Sequence, residues 1–350
     1  ANENNSSTLI FADSSNELTL SGNLTLFSAT NQQYNQLFVI ADLMADISTA
    51  SGKWYVFIEA NSTPNKINQE NDSDDFWSTA NARLGSATDS KDKGRMQLSE
   101  LHYTWYTDSG TLTTGLLDIV AFLDNSEIAE NEVEQFLSSS FVSNPTIALP
   151  EYSLASAYHL LATTEHIGLK VLIAASEGLT DSSNKTYSEL FKLKKSAFAA
   201  IEPYWQSKQL TTRLGLWGST ANSEHLLTPN KAEAETEHNY GAYVVIDGVS
   251  SNFIWNIRAG IANRQVSETS KFISAAVEIP FGAHVFAIAI AQTWQPKEQP
   301  SLETKINHQA ELYYRLNANK HLQITPSIQY IESIDKTNNL IYGLRMNWHF

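Results

Sequence analysis

The sequence predicts an all-β fold: residues 1–350 form one transmembrane antiparallel β-barrel of about sixteen strands. Segments in which apolar and polar residues alternate recur along the chain, and the connections between them are short and long in turn. Alternation puts every second side chain on one face, as a wall between lipid and water requires. No run of about 18 apolar residues occurs, which argues against membrane-spanning helices.

The composition is compatible with this barrel and excludes several other classes. The absence of cysteine excludes disulfide frameworks, thiolate metal sites and cysteine nucleophiles. A net charge of -15 argues against a nucleic-acid partner, because phosphate contacts need clustered lysine and arginine. A mean hydropathy of -0.27 is compatible with a barrel, since only every second strand residue meets lipid. Residues 1–7 are polar and do not resemble a signal peptide. We expect that any signal peptide was cleaved or was never present.

The predicted strands are taken in order from their period-two pattern and from the turn residues that bound them. They are 17–27, 34–47, 53–62, 96–107, 112–119, 152–163, 166–176, 194–206, 208–218, 239–248, 251–262, 270–280, 282–294, 304–316, 319–331 and 338–350. In strand 112–119, Asp118 fits either facing, so its direction stays open.

The connections indicate how the barrel lies in the membrane. Those after even-numbered strands are tight, as at Asp108-Ser-Gly110 or Ser207. Those after odd-numbered strands include the long polar segments 63–95, 120–151, 177–193 and 219–238. In transmembrane barrels short turns lie at the periplasmic end and long loops outside the cell. We therefore expect both termini at the periplasmic end, with residues 1–16 as a periplasmic or lumenal segment.

The two faces of the strands support this fold. Apolar stripes such as Trp54/Val56/Ile58 and Phe286/Ile288/Ile290 would face lipid. Charged strand residues fall on the opposite face, as they should, because a charge at the bilayer midplane costs about 2–4 kcal/mol. Aromatic residues on the apolar face near strand ends predict interfacial girdles. They are Trp54, Trp105, Trp205, Trp294, Tyr314, Tyr330 and Trp348.

The final strand carries a further signal. Leu340, Tyr342 and Leu344 share one face with Trp348 and Phe350, while polar residues occupy the other. A strand that ends in phenylalanine resembles the recognition signal of bacterial outer-membrane barrels. The resemblance implies outer-membrane lipid, lipopolysaccharide and the barrel-assembly machinery as partners, with Phe350 as the assembly signal. Strand 17–27 must pair with strand 338–350 to close the sheet.

Sixteen strands predict an aqueous lumen, because barrel width grows with strand number. Ten lumen-facing residues are candidates for pore lining and solute contact: Asp42, Glu100, Lys170, Glu202, Arg213, Trp217, Arg258, Glu311, Tyr313 and Arg345. Carboxylates and guanidinium groups offer hydrogen bonds to hydroxyls, and aromatic rings offer surfaces for sugar faces. Salt bridges that stiffen the wall are the alternative role for each of them.

Loop 120–151 is predicted to contain a short helix. Asn131 followed by Glu134 is typical of a helix N-cap, and Val133, Phe136 and Leu137 begin an apolar stripe that needs a wall to pack on. The loop candidates are Asp124, Asn125, Asn131, Gln135, Phe136 and Asn144. For Asn125, Gln135 and Asn144 the alternative role is to tie the loop together. Its acidic residues lack the spacing of a calcium loop, so a solvated face is favoured and no metal is predicted.

The same loop carries a family resemblance in its residue order. Gly115-Leu-Leu-Asp118 leads to Phe122, Asp124-Asn125 and Gln135-Phe136-Leu137, and the segment leaves through Asn144-Pro145 and Pro150. This order resembles the hallmark loop of the OprB-type carbohydrate-selective porins, with a departure at Glu130-Asn131. The resemblance implies a passive outer-membrane channel for sugars, with this loop folded into the lumen as the constriction.

Other functions find less support in the sequence. No HExxH, Gly-x-Ser-x-Gly, P-loop or GxGxxG motif occurs, so neither an enzyme nor a cofactor is predicted. His102 with Glu100 is the best approximation to a catalytic pair, and Ser99 is expected on the other face of the strand. A general diffusion porin and a barrel that serves as scaffold for a surface or periplasmic partner stay open as alternatives. A homotrimer is possible, because trimer contacts and lipid contacts are both apolar.

Overall fold

A computed structural model describes most of the 350-residue chain. The described residues are 9–13, 16–31, 34–62, 94–150, 152–161, 166–179, 187, 190, 196–226, 236–296, 304–332 and 338–350. In this part of the chain no helix is long and apolar enough to cross a membrane.

In the described residues, seventeen strands form one antiparallel sheet. They are β1 Leu9–Asp13, β2 Asn16–Asn31, β3 Tyr34–Thr49, β4 Gly52–Asn61, β5 Met96–Thr107, β6 Gly110–Leu117, β7 Ser153–Leu161, β8 Ile167–Ala175, β9 Ala197–Gln206, β10 Leu210–Glu224, β11 Thr236–Val249, β12 Ile254–Ala262, β13 Lys271–Phe281, β14 His284–Pro296, β15 Thr304–Asn317, β16 Leu322–Glu332 and β17 Asn338–His349.

Pairing of the first and last barrel strands closes the sheet. Strand β17 runs antiparallel to β2, from Tyr342 opposite Thr30 to His349 opposite Asn23. All other neighbours in β2–β17 follow chain order, which makes a closed barrel of sixteen strands and leaves no edge among them facing lipid. The short β1 pairs with the first residues of β2, beyond the point where β17 ends. The predicted fold class is confirmed.

The structure refines the predicted strand ends. The strand predicted at 17–27 extends to Asn31, and the one predicted at 208–218 extends to Glu224. The strand predicted at 112–119 ends at Leu117, so Asp118 belongs to the following loop. Strand β1 was not predicted, because five residues give too short a period to recognise.

A bulge in β5 corrects one predicted facing. The register between β4 and β5 shifts at Phe57 and Ile58, so that Ser99 is the extra residue. Both Ser99 and Glu100 are therefore buried on the inner side, and the Ser99 hydroxyl donates to the Glu59 carboxylate. Ser99 was expected on the outer face, but period-two counting fails at a bulge.

The outer wall is apolar along its full circumference. Leu24, Ile173, Leu216 and Ile290 are exposed, as lipid-facing side chains on a barrel must be. Of the predicted girdle, Trp54, Trp105, Trp205 and Trp348 are also exposed on this face, and Trp294, Tyr314 and Tyr330 are half-buried.

Phe350 extends the closing pair of strands by one residue. Its backbone N–H and C=O each form a 3.1 Å hydrogen bond with the backbone of Gly22. A Cβ at Gly22 would lie 2.6 Å from the Phe350 ring and 2.5 Å from the carbonyl oxygen of Asp42. Gly22 therefore leaves the room that this ring occupies beside the closing strand.

We expect Gly22→Ala to displace the Phe350 ring and lower the free energy of unfolding by about 1–3 kcal/mol, the usual cost of overpacking. Gly218→Ala is the matched control, since a Cβ there would meet nothing nearer than 3.7 Å. The measurement is the fraction of heat-modifiable barrel across a denaturant series. Equal midpoints for the two variants would contradict the assigned role of Gly22.

Candidate functional site

Residues 118–152, here called the inner loop, connect β6 to β7 and fold into the barrel. The segment contains a 3-10 turn at Val120–Phe122 and a four-residue helix, α1, at Ser139–Val142. The remainder is irregular backbone that runs along the inner wall.

The expected helix from Asn131 is a single turn. The Asn131 side-chain oxygen accepts hydrogen bonds from the N–H groups of Val133 and Glu134, as an N-cap should. The turn then ends, because the N–H groups of Leu137 and Ser138 bond to the carboxylate of Glu311. A side chain of the wall thus takes donors that a longer helix would have paired internally.

Apolar side chains fix the inner loop at three places on the wall. Ile119, Leu123 and Ile147 pack against Leu117 of β6 and wall residues of β7–β11. Ile128, Ala129, Phe136 and Phe141 pack against wall residues of β13–β15. Leu137 packs against wall residues of β2, β3, β16 and β17. The loop therefore follows most of the barrel circumference.

Carboxylates of the wall accept hydrogen bonds from loop backbone donors. Glu311 accepts from Leu137 and Ser138 at 2.8–3.0 Å. Glu202 accepts from the N–H of Asp124 at 2.9 Å, and Asp247 accepts from the N–H of Glu127 at 3.3 Å. Glu100 accepts from the N–H of Asp118 at 3.1 Å.

Basic side chains of the wall donate to loop carbonyls. Arg258 donates to the carbonyl oxygens of Phe141 at 2.9 Å and Asp124 at 3.0 Å, and to that of Ala129. Four further wall side chains donate to loop carbonyl oxygens. Arg345 donates to those of Glu132 and Gln135, Arg315 to that of Glu134, Lys170 to that of Phe122 and Asn347 to that of Val133. Together these contacts satisfy backbone groups that no helix or strand pairs.

The loop amides tie the loop to itself. Gln135 accepts from the N–H groups of Glu130 and Asn131 and donates to the carbonyl of Glu127. Asn125 donates to the carbonyl of Ala121 and to the carboxylate of Glu130. The side-chain oxygen of Asn144 accepts from the N–H and hydroxyl of Thr146.

Asp124 is the buried charge at the centre of this segment. Its carboxylate accepts from the N–H of Asn144 at 2.8 Å and lies 3.6 Å from Arg258. Burial raises the pKa of Asp124 to about 6, and Arg258 opposes that rise. Its φ of 58° lies in the left-handed region, which aspartate and asparagine tolerate better than most residues.

Half of the ten predicted pore-lining residues point inward but lie beneath the inner loop. Arg258, Arg345, Glu202, Glu311 and Tyr313 are each at most 1% exposed, so the loop and not solvent covers them. Phe136 packs edge-on against Tyr313, with ring centroids 4.9 Å apart. The inner wall was expected to be wet at these positions. Loop contacts replace water because the loop presents its backbone to them.

The other predicted residues divide between wall contacts and the open lumen. Arg213 pairs with Asp247 at 2.6 Å, and Trp217 stacks on Phe198. Lys170 reaches Glu202 at 3.2 Å as well as the loop. Asp42 is the predicted wall residue that lines the open cavity.

That cavity, here called the channel, lies between the inner loop and β2–β4 and has a volume of about 700 Å³. The wall contributes Asn23, Asp42, Met44, Tyr55, Phe57, Glu59 and His349. The loop contributes mostly polar groups, namely Asp118, Ser126, Glu130, Asn131, Glu132, Glu134, Gln135, Ser139, Ser143 and Tyr152, with Val120, Ala121, Val133 and Val142. Among the described residues that line it, none is lysine or arginine.

Tyr55, Phe57 and Glu59 were missed as site candidates. They alternate with the outward Trp54, Val56 and Ile58 in the same strand, so the sequence carries the facing signal. What the sequence does not indicate is which part of the inner wall the loop leaves open. In the part of the chain that the structure describes, no group of three acidic or histidine side chains could hold a metal ion.

A closed sixteen-strand barrel with a long connection folded into its lumen defines a porin. The family model described as carbohydrate-selective porin, OprB family, matches residues 45–350, and the chain belongs to this family. Fold and family together make the protein an outer-membrane diffusion channel for sugars or similar small polar solutes.

Solved structures share this architecture at low sequence identity. A high-pH structure of OprB from Pseudomonas putida is 14% identical, with a TM-score of 0.73 over 96% of this chain and 94% of that one. OmpF of Salmonella typhi in complex with daunomycin is 8% identical, with a TM-score of 0.61 over 98% and 100%. Outer-membrane-expressed OmpT of Vibrio cholerae is 10% identical, with a TM-score of 0.61 over 98% and 100%. The comparison with curated proteins found no matching sequence.

We expect Arg258→Ala to loosen the inner loop, because it removes the ion-pair partner of the buried Asp124 carboxylate and the donor to three loop carbonyls. Removing one partner of a buried ion pair costs about 3–5 kcal/mol. Single-channel records should show larger and noisier conductance, and limited proteolysis should cut within 118–152. Arg264→Ala, at an exposed arginine outside the loop, is the control. Equal conductance and cleavage in both variants would contradict the clamp.

Docking of the inner loop should depend on the protonation of Asp124. The pKa in the docked state, about 6, lies above the ordinary 3.8, so the docked state binds the proton more tightly. Below about pH 4 Asp124 is protonated in both the docked and the undocked state and adds no pH dependence. As the pH rises from about 4 to about 6, the free energy of docking becomes less favourable by up to about 3 kcal/mol. Hydrogen exchange of loop amides measures this. The Asp124→Asn variant should lack this part of the pH dependence, and an identical profile in both proteins would refute the assignment.

Proposed function

We propose that sugars and similar small polar solutes diffuse through the channel between the inner loop and β2–β4, without covalent chemistry. The carrying observation is the one-sided position of the loop. Its apolar and hydrogen-bonded contacts occupy most of the inner wall, whereas side chains of β2–β4, with His349 of β17, line the cavity of about 700 Å³. A solute that crosses the barrel on this route passes between the two surfaces.

The lining groups suit a hydroxylated solute. Asn23, Asn131 and Gln135 carry amides, and Glu130 carries a carboxylate that accepts hydrogen bonds. The Tyr55 ring offers a flat surface on which the apolar face of a sugar ring can pack. Selectivity in such a pore follows from its diameter and from the groups that line it.

The orientation and partners follow from the same fold. We place the short turns and both termini at the periplasm and the inner loop's end of the barrel toward the outside. We assign Phe350 as the signal read by the barrel-assembly machinery, and the apolar outer wall as the surface for lipid and lipopolysaccharide. Part of that wall would also serve a homotrimer. Mass measurement in detergent that preserves porin oligomers tests the last point.

Shortening Asp124–Thr146 should widen the pore. We expect single-channel conductance to rise and sugar-induced block to fall, while heat modifiability stays intact, because the wall strands keep their pairing. An unchanged conductance would show that this segment does not constrict the conducting path.

Replacing the aromatic surface should affect sugars more than ions. We expect Tyr55→Ala to weaken sugar-induced current block by about tenfold, the effect of losing about 1.4 kcal/mol of stacking, with a small rise in conductance. Trp54→Ala is the matched control, because this neighbouring aromatic of the same strand faces outward and does not line the channel. Equal losses of block in the two variants would contradict the proposed path.

A further inference from the structure

Six cationic side chains of the inner wall lie outside the channel lining, whereas carboxylates lie both under the inner loop and along the channel. Arg258, Arg345, Arg315 and Lys170 donate to loop carbonyls and lie under the inner loop, and Arg213 pairs with Asp247. Lys53, on the inner face of β4 near a short turn, pairs with Asp46 at 2.6 Å. None of these six cationic side chains is among the described residues that line the channel.

Carboxylates line the channel from both of its sides. Asp42 and Glu59 stand directly opposite each other on β3 and β4, and both line the cavity from the wall. Asp118, Glu130, Glu132 and Glu134 line it from the loop. Glu134 lies 4.0 Å from Arg315, which offsets part of its charge, and 3.6 Å from the His349 ring. The Glu59 carboxylate also accepts from the Ser99 hydroxyl, which uses part of its acceptor capacity within the wall.

We propose that the channel selects for solutes that carry a protonated amine, aminated sugars in particular, over neutral sugars of the same size. This inference rests on the proposed path and adds the charge that the solute should bear. An ammonium group in the cavity meets acceptors on both sides. The Phe57 ring attracts the same cation through its π face. The Tyr55 ring, which has the Lys53 ammonium 6.0 Å from its centroid, serves the sugar ring.

The channel shape makes this selection local. At physiological salt the Debye length is about 8 Å, so charges at a wide mouth are screened, whereas opposed walls of a narrow cavity act together on a solute between them. A carboxylated sugar meets repulsion from both walls. The expected order of permeation is therefore amine first, neutral second and carboxylate last.

Three hexoses of nearly equal size test the proposal: glucosamine, glucose and glucuronate. Their entry is measured by liposome swelling with the whole protein at pH 7. At low salt glucosamine should enter about fivefold faster than glucose, the effect of one water-screened contact between unit charges. The difference should shrink at high salt. Planar bilayers under a potassium chloride gradient should show cation preference.

Variants separate the channel carboxylates from acidic charge in general. Glu132→Gln and Asp118→Asn remove a negative charge, keep hydrogen-bonding capacity and should lower the ratio of glucosamine entry to glucose entry. Glu127→Gln is the matched control, because this carboxylate is in the same loop, exposed and absent from the channel lining.

Equal entry of glucosamine and glucose, or an equal fall of the ratio in the Glu127→Gln control, would overturn the amine selectivity and leave the sugar path standing. Anion preference in bilayers would overturn it as well. Entry of none of the three hexoses would overturn the proposed path and the amine selectivity together.

Discussion

The structure depends on reciprocal hydrogen bonding between charged side chains of the barrel wall and the backbone of the inner loop. A barrel of sixteen strands is too wide for side chains to fill. The loop that enters it has irregular backbone, whose N–H and C=O groups need partners once water is excluded. Glu311 and Glu202 accept its N–H groups, and Arg258 and Arg345 donate to its carbonyls. Each set of groups would be costly to bury without the other.

This arrangement explains why the lumen is divided. Wall charges that bind the loop backbone are withdrawn from solvent, and small wall residues such as Ala287 and Ala289 make room for Phe136 and Phe141. On β2 and β3 the loop packs through Leu137 against Phe27 and Ile40. Other side chains of β2–β4, such as Tyr55 and Phe57, face the loop across the channel. Because Arg258 alone holds three carbonyls, the loop border of the channel is fixed by many directional contacts. A fixed border gives a defined diameter, which passive selection by size and hydrogen bonding requires.

The sequence predicts the wall well because each strand position has a lipid side or a water side, and this binary signal repeats sixteen times. It fails at Ser99, where a bulge changes the parity, and at β1, which is too short to show a period. The inner loop was predicted in place and in its need for a wall. The helix predicted from Asn131 was too long. Asn131 caps a turn, but Glu311 binds the next N–H groups and ends it, and Glu311 lies too far away in sequence for this contact to be predicted.

The site was predicted less completely than the fold. Inward facing was predicted correctly for Arg258, Arg345 and Glu311, yet facing does not say whether water or another segment lies next to a side chain. Which part of the wall borders the channel depends on the path that the loop takes inside the barrel. Tyr55 and Phe57 therefore became candidates only when that course was known.

Accessibility of single cysteines tests the division of the lumen most directly, because the chain has no cysteine of its own. Met44→Cys places a thiol on the channel side of the inner wall, and Ala287→Cys places one on the same face beneath the loop. A small membrane-impermeant thiol reagent should modify the first rapidly and reduce conductance, and should leave the second unreacted in the folded barrel. Equally fast modification at both positions would show that the loop does not cover the wall, and would contradict the account.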